Sequence, residues 1–158
     1  MNNLFDHQED HDFQALLDLN SSKHWFEHLD RLPPKSHADA SGTTRDGRKV
    51  IIELKSRNMS LTDDNSHLIA KTRDGGQCVV ETVYIEGHKI ASLMLDSLDG
   101  FTPLYINFLT NGTVIFNLSK LKRRPREEVM RNVYSKGYMN WEEAKRQGLW
   151  IDDAAIVR

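Results

Sequence analysis

Three residues carry the side chains best suited to chemistry: Asp39, Glu53 and Lys55, in the stretches Asp39-Ala40-Ser41-Gly42 and Val50-Ile51-Ile52-Glu53-Leu54-Lys55-Ser56-Arg57. Two carboxylates offer hard oxygen ligands for Mg2+, with Mn2+ as a substitute. Such an ion polarises a phosphate and activates water, while an ammonium stabilises the charge that develops in line. The trio therefore suits hydrolysis of a phosphodiester, with Asp39 and Glu53 as metal ligands and all three as catalytic candidates. Lys55 has a second role open to it, as general base toward the attacking water, which requires it to shed its proton first. The plainer reading is that Asp39 caps a turn and that Glu53 and Lys55 form an exposed same-face pair on a sheet.

Convergence of these groups depends on two strands and the turn between them. Successive strand residues alternate faces, so Glu53 and Lys55 project together and Leu54 points the other way. Residues 39–44 and 49–55 read as strands, and Arg45-Asp46-Gly47-Arg48 between them reads as a two-residue Asp-Gly hairpin turn with positive φ at both central positions. Folding there returns Asp39 toward the far end of the second strand.

The pattern of Asp39, Glu53 and Lys55 resembles the active-site signature of the PD-(D/E)XK nuclease superfamily, which includes restriction enzymes, Holliday-junction resolvases and phage exonucleases. Tyr84-Ile85-Glu86-Gly87-His88-Lys89, opening a helix, and the following Pro103-Leu104-Tyr105-Ile106-Asn107-Phe108 also resemble small nuclease-like proteins of phages and gut bacteria. The resemblance covers roughly residues 12–118 and departs from the family where His37-Ala38 replaces the usual proline before the aspartate. It implies a restriction-endonuclease-like core and a metal-dependent DNA endonuclease or exonuclease. It also implies a further acidic metal ligand on an N-terminal helix, for which Glu27 is the candidate, and a phosphate contact from Lys89 or Glu86. A solvated helix acid at Glu27 and ordinary surface roles at Lys89 and Glu86 are the competing readings.

Elsewhere, Phe13, Leu16, Leu17, Leu19, Trp25, Phe26, Leu29 and Leu32 recur at helical intervals, broken by Asn20-Ser21-Ser22 and ended by Pro33-Pro34. This predicts one broken helix or two short ones. Residues 56–77 read as a long surface loop, 79–85 as strand and 86–98 as a helix stopped by Asp99-Gly100. Residues 104–109 and 113–118 read as a hairpin on a two-residue Asn111-Gly112 turn. After Pro125, helices are expected at 126–134 and 141–147, with Asn140 as cap and Gly148 as stop. The fold class is thus α/β (α+β): one domain over 1–158, a central mixed sheet flanked by helices, and a basic helical extension from about 119.

The formal charge of −2 conceals an asymmetry: residues 1–38 carry −4, 39–118 carry −2 and 119–158 carry +4. Lys120, Lys122, Arg123, Arg124 and Arg126 concentrate the positive excess and are candidates for DNA phosphates, or else the solvated start of a helix. The DNA form (duplex, branched or single-stranded) is open. One active site per chain leads to the expectation of a homodimer, with Trp150-Ile151 and Ala154-Ala155-Ile156-Val157 as interface pieces or as packing for the sheet. A lone Cys78, no apolar run of membrane-spanning length and no signal-like start lead to the expectation of a cytoplasmic protein without membrane contact. His7/His11 and His24/His28 have zinc-like spacing but lack the His-Glu-x-x-His order. Asp63-Asp64-Asn65 lacks the ligand alternation of a calcium loop. Trp25, Trp141 and Trp150 read as core or interface anchors. The rival functional class is a catalytically inactive nuclease-fold protein that binds nucleic acid or another protein.

Overall fold

The computed structural model describes residues 4–130, 133–135, 138–140 and 144–158. Helix α1 (Leu4–Lys23) is followed by strands β1 (Phe26–Arg31), β2 (Ala40–Thr44) and β3 (Lys49–Ser56). A meander of β4 (Met59–Leu61), β5 (Leu68–Lys71) and β6 (Gln77–Val80) leads to β7 (Thr82–Glu86) and helix α2 (Gly87–Ser97). Strands β8 (Thr102–Phe108) and β9 (Thr113–Asn117) come next. The C-terminal part holds β10 (Arg126–Met130), the hairpin β11 (Val133–Ser135) and β12 (Tyr138–Asn140), β13 (Ala144–Trp150) and β14 (Ala155–Val157). No helix among the described residues is long and apolar enough to cross a membrane.

The expected mixed sheet is present, with six strands in the order β1-β2-β3-β8-β9-β14. Only β3 and β8 run parallel, and the other neighbours are antiparallel. A parallel pair needs a crossover, here the whole stretch from β4 to α2. Strand β3 is covered on both faces, which explains its near-continuous apolar run. Val50, Ile52 and Leu54 pack with Leu16 of α1 and with Phe26, Ala40 and Ile106. Ile51 faces the other way, into a core of Leu61, Leu68, Val83, Ile85, Leu93, Tyr105, Phe116 and Leu149.

Four expectations fail for identifiable reasons. The second N-terminal helix is strand β1. At the end of α1, His24 adopts φ 55°, and the Asn20 side-chain amide donates to the Phe26 carbonyl (3.0 Å) and accepts from the Phe26 amide (2.8 Å). The register then skips Glu27, a β-bulge that turns Phe26 and Leu29 inward despite their helical spacing of three. His24 and His28 consequently do not share a helix. The presumed loop 56–77 contains β4, β5 and the start of β6.

Both hairpins form, on other turns than expected. Only Gly47 has positive φ in the first (87°), with its amide bonded to the Thr44 carbonyl at 3.0 Å, so the loop is a three-residue turn with a glycine bulge. The second has a four-residue loop from Leu109 to Gly112. Its Asn111 amide accepts from Leu61 N (2.7 Å) and donates to Leu61 O (2.9 Å), fastening the meander.

The C-terminal helices are also absent. Residues 126–130 and 144–150 are strands in a second sheet ordered β10-β13-β7, and Asn140 lies in β12. Gly148, read as a helix stop, pairs with Tyr84 and Arg126 mid-sheet. The fit to a preformed β7 edge outweighs the helix preference of this charged stretch. Trp141, named as helix start and anchor, lies outside the described residues. Of the interface pieces, Ile151 is buried in the core and β14 pairs with β9, so the tail packs back on the sheet.

Close approach of β1 to β2 depends on Gly42. A Cβ there would lie 2.2 Å from the His28 carbonyl oxygen, a backbone atom that cannot swing away. Gly42→Ala should destabilise the chain by about 2 kcal/mol or more and lower Tm by roughly 4–8 °C in thermal unfolding. An unchanged Tm would show that β1 is not held against β2 as described.

Candidate functional site

Asp39 lies immediately before β2, opposite the distal half of β3. Its amide donates to the Ile52 carbonyl (3.0 Å), and its Oδ2 accepts from the Leu54 amide (2.7 Å). The aspartate thus continues the β2–β3 ladder with its backbone and holds the next rung with its side chain. Glu53 is only 3% exposed and projects from β3 between Ile51 in the core and solvent-exposed Lys55. The hairpin therefore brings Asp39, Glu53 and Lys55 to one edge, as the strand period predicts.

The partner of Glu53 is Lys89, in the first turn of α2, with Nζ 2.5 Å from Oε1. Lys55 makes no hydrogen bond or ion pair among the described residues and acts on both carboxylates through charge alone. The two lysines thus divide the work otherwise than the sequence suggests: the distant one holds the buried acid, and the neighbouring one stays at the surface. Glu86, at the N-cap of α2, is exposed and pairs with His88 at 3.3 Å.

A third acid comes from α1, and it is not Glu27. Glu27 is the exposed bulge residue of β1, away from any helix. Asp12 instead is 7% exposed, accepts hydrogen bonds from Ser56 Oγ (2.5 Å) and Gln8 Nε2 (2.9 Å), and acts on Asp39 by like-charge repulsion. The sequence does hold a signal for it. Asp12 stands one helical turn before fully buried Leu16, so it occupies a core-facing position where a carboxylate needs a reason to be.

Burial is the main electrostatic fact of the site. Desolvation raises the Asp39 carboxyl, opposed by the Leu54 amide and Lys89. Desolvation and then the Asp39 charge push Glu53 up to about 7, against the pull of Lys89. For Lys89, burial pulls downward, but Glu53, Glu86 and Asp39 outweigh it and leave the ammonium above its ordinary range. No group of three or more His, Cys, Asp or Glu positioned to hold a metal occurs among the described residues, His7/His11 included. A hard cation would therefore have Asp39 and Glu53 as its protein ligands and complete its shell with water.

The basic run does not start a helix. Lys120, Lys122, Arg123 and Arg124 lie in the β9–β10 connection, and Arg126 opens β10. Asp153 accepts from the amides of Lys122 and Arg123 (both 3.0 Å), and Arg123 pairs with Asp152 at 3.2 Å. Trp150 donates its indole N–H to the Arg124 carbonyl (3.0 Å) and lies under the Arg123 guanidinium at 3.7 Å. Trp150 is therefore an anchor for this segment, opposite Thr82 at the end of β7 remote from α2.

A buried acid with a raised pKa makes stability fall as pH rises between its unfolded and folded values. For Glu53 that window runs from about 4.5 to about 7. With chelator present, raising pH from 5.5 to 7.5 should cost the wild type on the order of 2 kcal/mol more than Glu53→Gln, measured by urea unfolding. Parallel pH profiles for the two proteins would show that Glu53 does not titrate in this range.

No protein-family model matches the chain, and no curated protein or solved structure matches it either.

Proposed function

We propose that this chain is a metal-dependent deoxyribonuclease built on a restriction-endonuclease-like core. One observation carries the reading: two carboxylates from adjacent strands are held in mutual repulsion at the edge of the parallel β3–β8 pair, with two ammonium groups beside them. Such repulsion costs stability in the metal-free protein and is relieved when a cation enters.

The residues fit Mg2+, or Mn2+ in its place. Magnesium binds through one or two carboxylates and keeps several waters, which agrees with a site of two carboxylates rather than three. Asp39 and Glu53 would hold the ion, which when bound supplies polarisation of a phosphoryl oxygen and an activated water. The Leu54 amide orients Asp39, and Lys89 positions Glu53 and keeps it from swinging into solvent. Asp12 adds negative potential from the α1 side. Lys55 reaches the solvent face of the same edge, where its ammonium meets the charge developing on a phosphate, or accepts the proton of the attacking water.

The rival reading, a nuclease fold kept for binding alone, draws on the Lys89–Glu53 ion pair, which already neutralises one of the two ligands. Calorimetric titration with Mg2+ or Mn2+ separates the two. The wild type should give a binding isotherm that Asp39→Asn and Glu53→Gln abolish, with circular dichroism unchanged. Both variants should also lose at least about 10²-fold in cleavage of duplex, branched or single-stranded DNA. A wild type that neither binds the metal nor cuts any of the three would favour the binding module.

Lys55→Ala should cut cleavage by a similar factor, and Lys55→Arg tells its two roles apart. Arginine supplies the charge but cannot act as a base at neutral pH. Recovery to within about tenfold of wild type would assign Lys55 to charge stabilisation, and no recovery to proton transfer.

A further inference from the structure

The outer face of the β10-β13-β7 sheet takes no part in the carboxylate site, and its composition is unusual. Pairing of Thr82 with Trp150, Tyr84 with Gly148 and Glu86 with Arg146 places these side chains on one side. Val83, Ile85 and Leu149 point to the core on the other. Arg126, paired with Gly148, joins the outer side.

On this face two aromatic rings each carry two arginines. Arg146 lies 3.7 Å and Arg57 5.1 Å from the Tyr84 ring centroid, and Arg123 lies 3.7 Å and Arg126 5.7 Å from that of Trp150. Arg57 is further fixed by Nε to Asn107 Oδ1 (2.8 Å) and by Nη2 to the Tyr84 carbonyl (2.5 Å) and Tyr105 hydroxyl (2.7 Å). Only two carboxylates stand against these four cations: Asp152, paired with Arg123, and Glu86, paired with His88. Plain charge cover of a sheet needs no aromatic support. A guanidinium laid flat on a ring keeps its in-plane N–H edges for acceptors and loses less freedom when it binds one.

We propose that this face is a track for the phosphate backbone of a nucleic acid, leading to the carboxylate site. The proposal deepens the nuclease reading and rests on it for the identity of the polyanion. Direction comes from β7, which runs from Thr82 beside Trp150 to Glu86, where α2 begins and Lys89 reaches Glu53. The strand rise makes that path about 13 Å. At roughly 3.4 Å per phosphate along one strand of a duplex, it spans about four phosphates. Contacts to the backbone carry no sequence information, so the track grips and does not read.

The test uses the full chain with EDTA, so that no cleavage is needed, and a fluorescein-labelled DNA duplex followed by anisotropy across a salt series. Arg146→Gln should weaken binding several-fold and reduce the slope of log K against log salt by about one. Tyr84→Ala keeps every charge, so it should weaken binding several-fold with the slope nearly unchanged, while Lys71→Gln, on β5, should change neither. A wild-type slope and affinity in a folded Arg146→Gln would overturn the proposal. Were that variant to unfold, unchanged affinity in Tyr84→Ala would do the same. Displacement of the probe by poly-L-glutamate as readily as by unlabelled duplex would also overturn it, in favour of an acidic polypeptide. Cleavage assays on the same wild type keep the two readings apart. An inactive protein with the expected slopes loses the nuclease assignment and keeps the track, and an active one with unchanged slopes loses only the track.

Discussion

The contact between Lys89 and the buried Glu53 organises much of what surrounds it. A carboxylate with almost no exposure on the central strand of a sheet is costly unless a cation or hydrogen bonds accompany it. Strand β3 has no room for a second polar residue on its covered stretch, since Val50, Ile51, Ile52 and Leu54 are all in the core. The compensating charge has to come from elsewhere in the chain. It comes from the first turn of α2, and that fixes where the crossover between β3 and β8 must deliver its helix. A lysine in the first turn works against the helix dipole, and no acidic residue there offsets it. The arrangement is sensible only with an anion in front of it, and Glu53 is that anion.

Asp39 and Asp12 make the same edge less comfortable. Asp39 uses one oxygen to hold the Leu54 amide, so its position is set by the ladder and not by its charge. Asp12 is tied to Ser56 from the α1 side. Three acids thus arrive at one end of β3 from three separate elements, each held by a hydrogen bond independent of the others. A fold selected for stability alone would disperse them. Their convergence is the physical ground for proposing a cation, and it explains why removing Asp39 or Glu53 need not harm the apo fold beyond the loss of single hydrogen bonds.

What could be read from the sequence follows the range of the interactions. Asp39, Glu53 and Lys55 share one hairpin, so strand period and turn chemistry suffice to bring them together. The mixed sheet was legible for the same reason, since each apolar strand announces itself locally. Lys89 lies 36 residues from Glu53, and Ser56 lies 44 from Asp12. Nothing local fixes those pairings, and they appear only once the crossover is packed. Glu27 misled because a bulge gives Phe26 and Leu29 a spacing that a helix also gives. The charged residues after Pro125 favour a helix by intrinsic preference, and they became strands because β7 offers an edge that only the folded chain presents.

Strand β7 is where the two functional proposals meet, and its geometry couples them. Alternation forces Val83 and Ile85 into the core, so Tyr84 and Glu86 have no choice but the outer face. Two residues beyond Glu86 the chain is already helical and Lys89 turns back toward Glu53. The segment from Thr82 to Lys89 is therefore one continuous piece of regular backbone, anchored at one end by the Trp150 pairing and at the other by the buried ion pair. A polyanion gripped by the arginines over Tyr84 would be held at a set distance from the carboxylates, with no loop between them to take up slack. Rigid placement of this kind converts binding of remote phosphates into orientation of the reacting one, because the entropy of alignment is met on binding and not in the transition state.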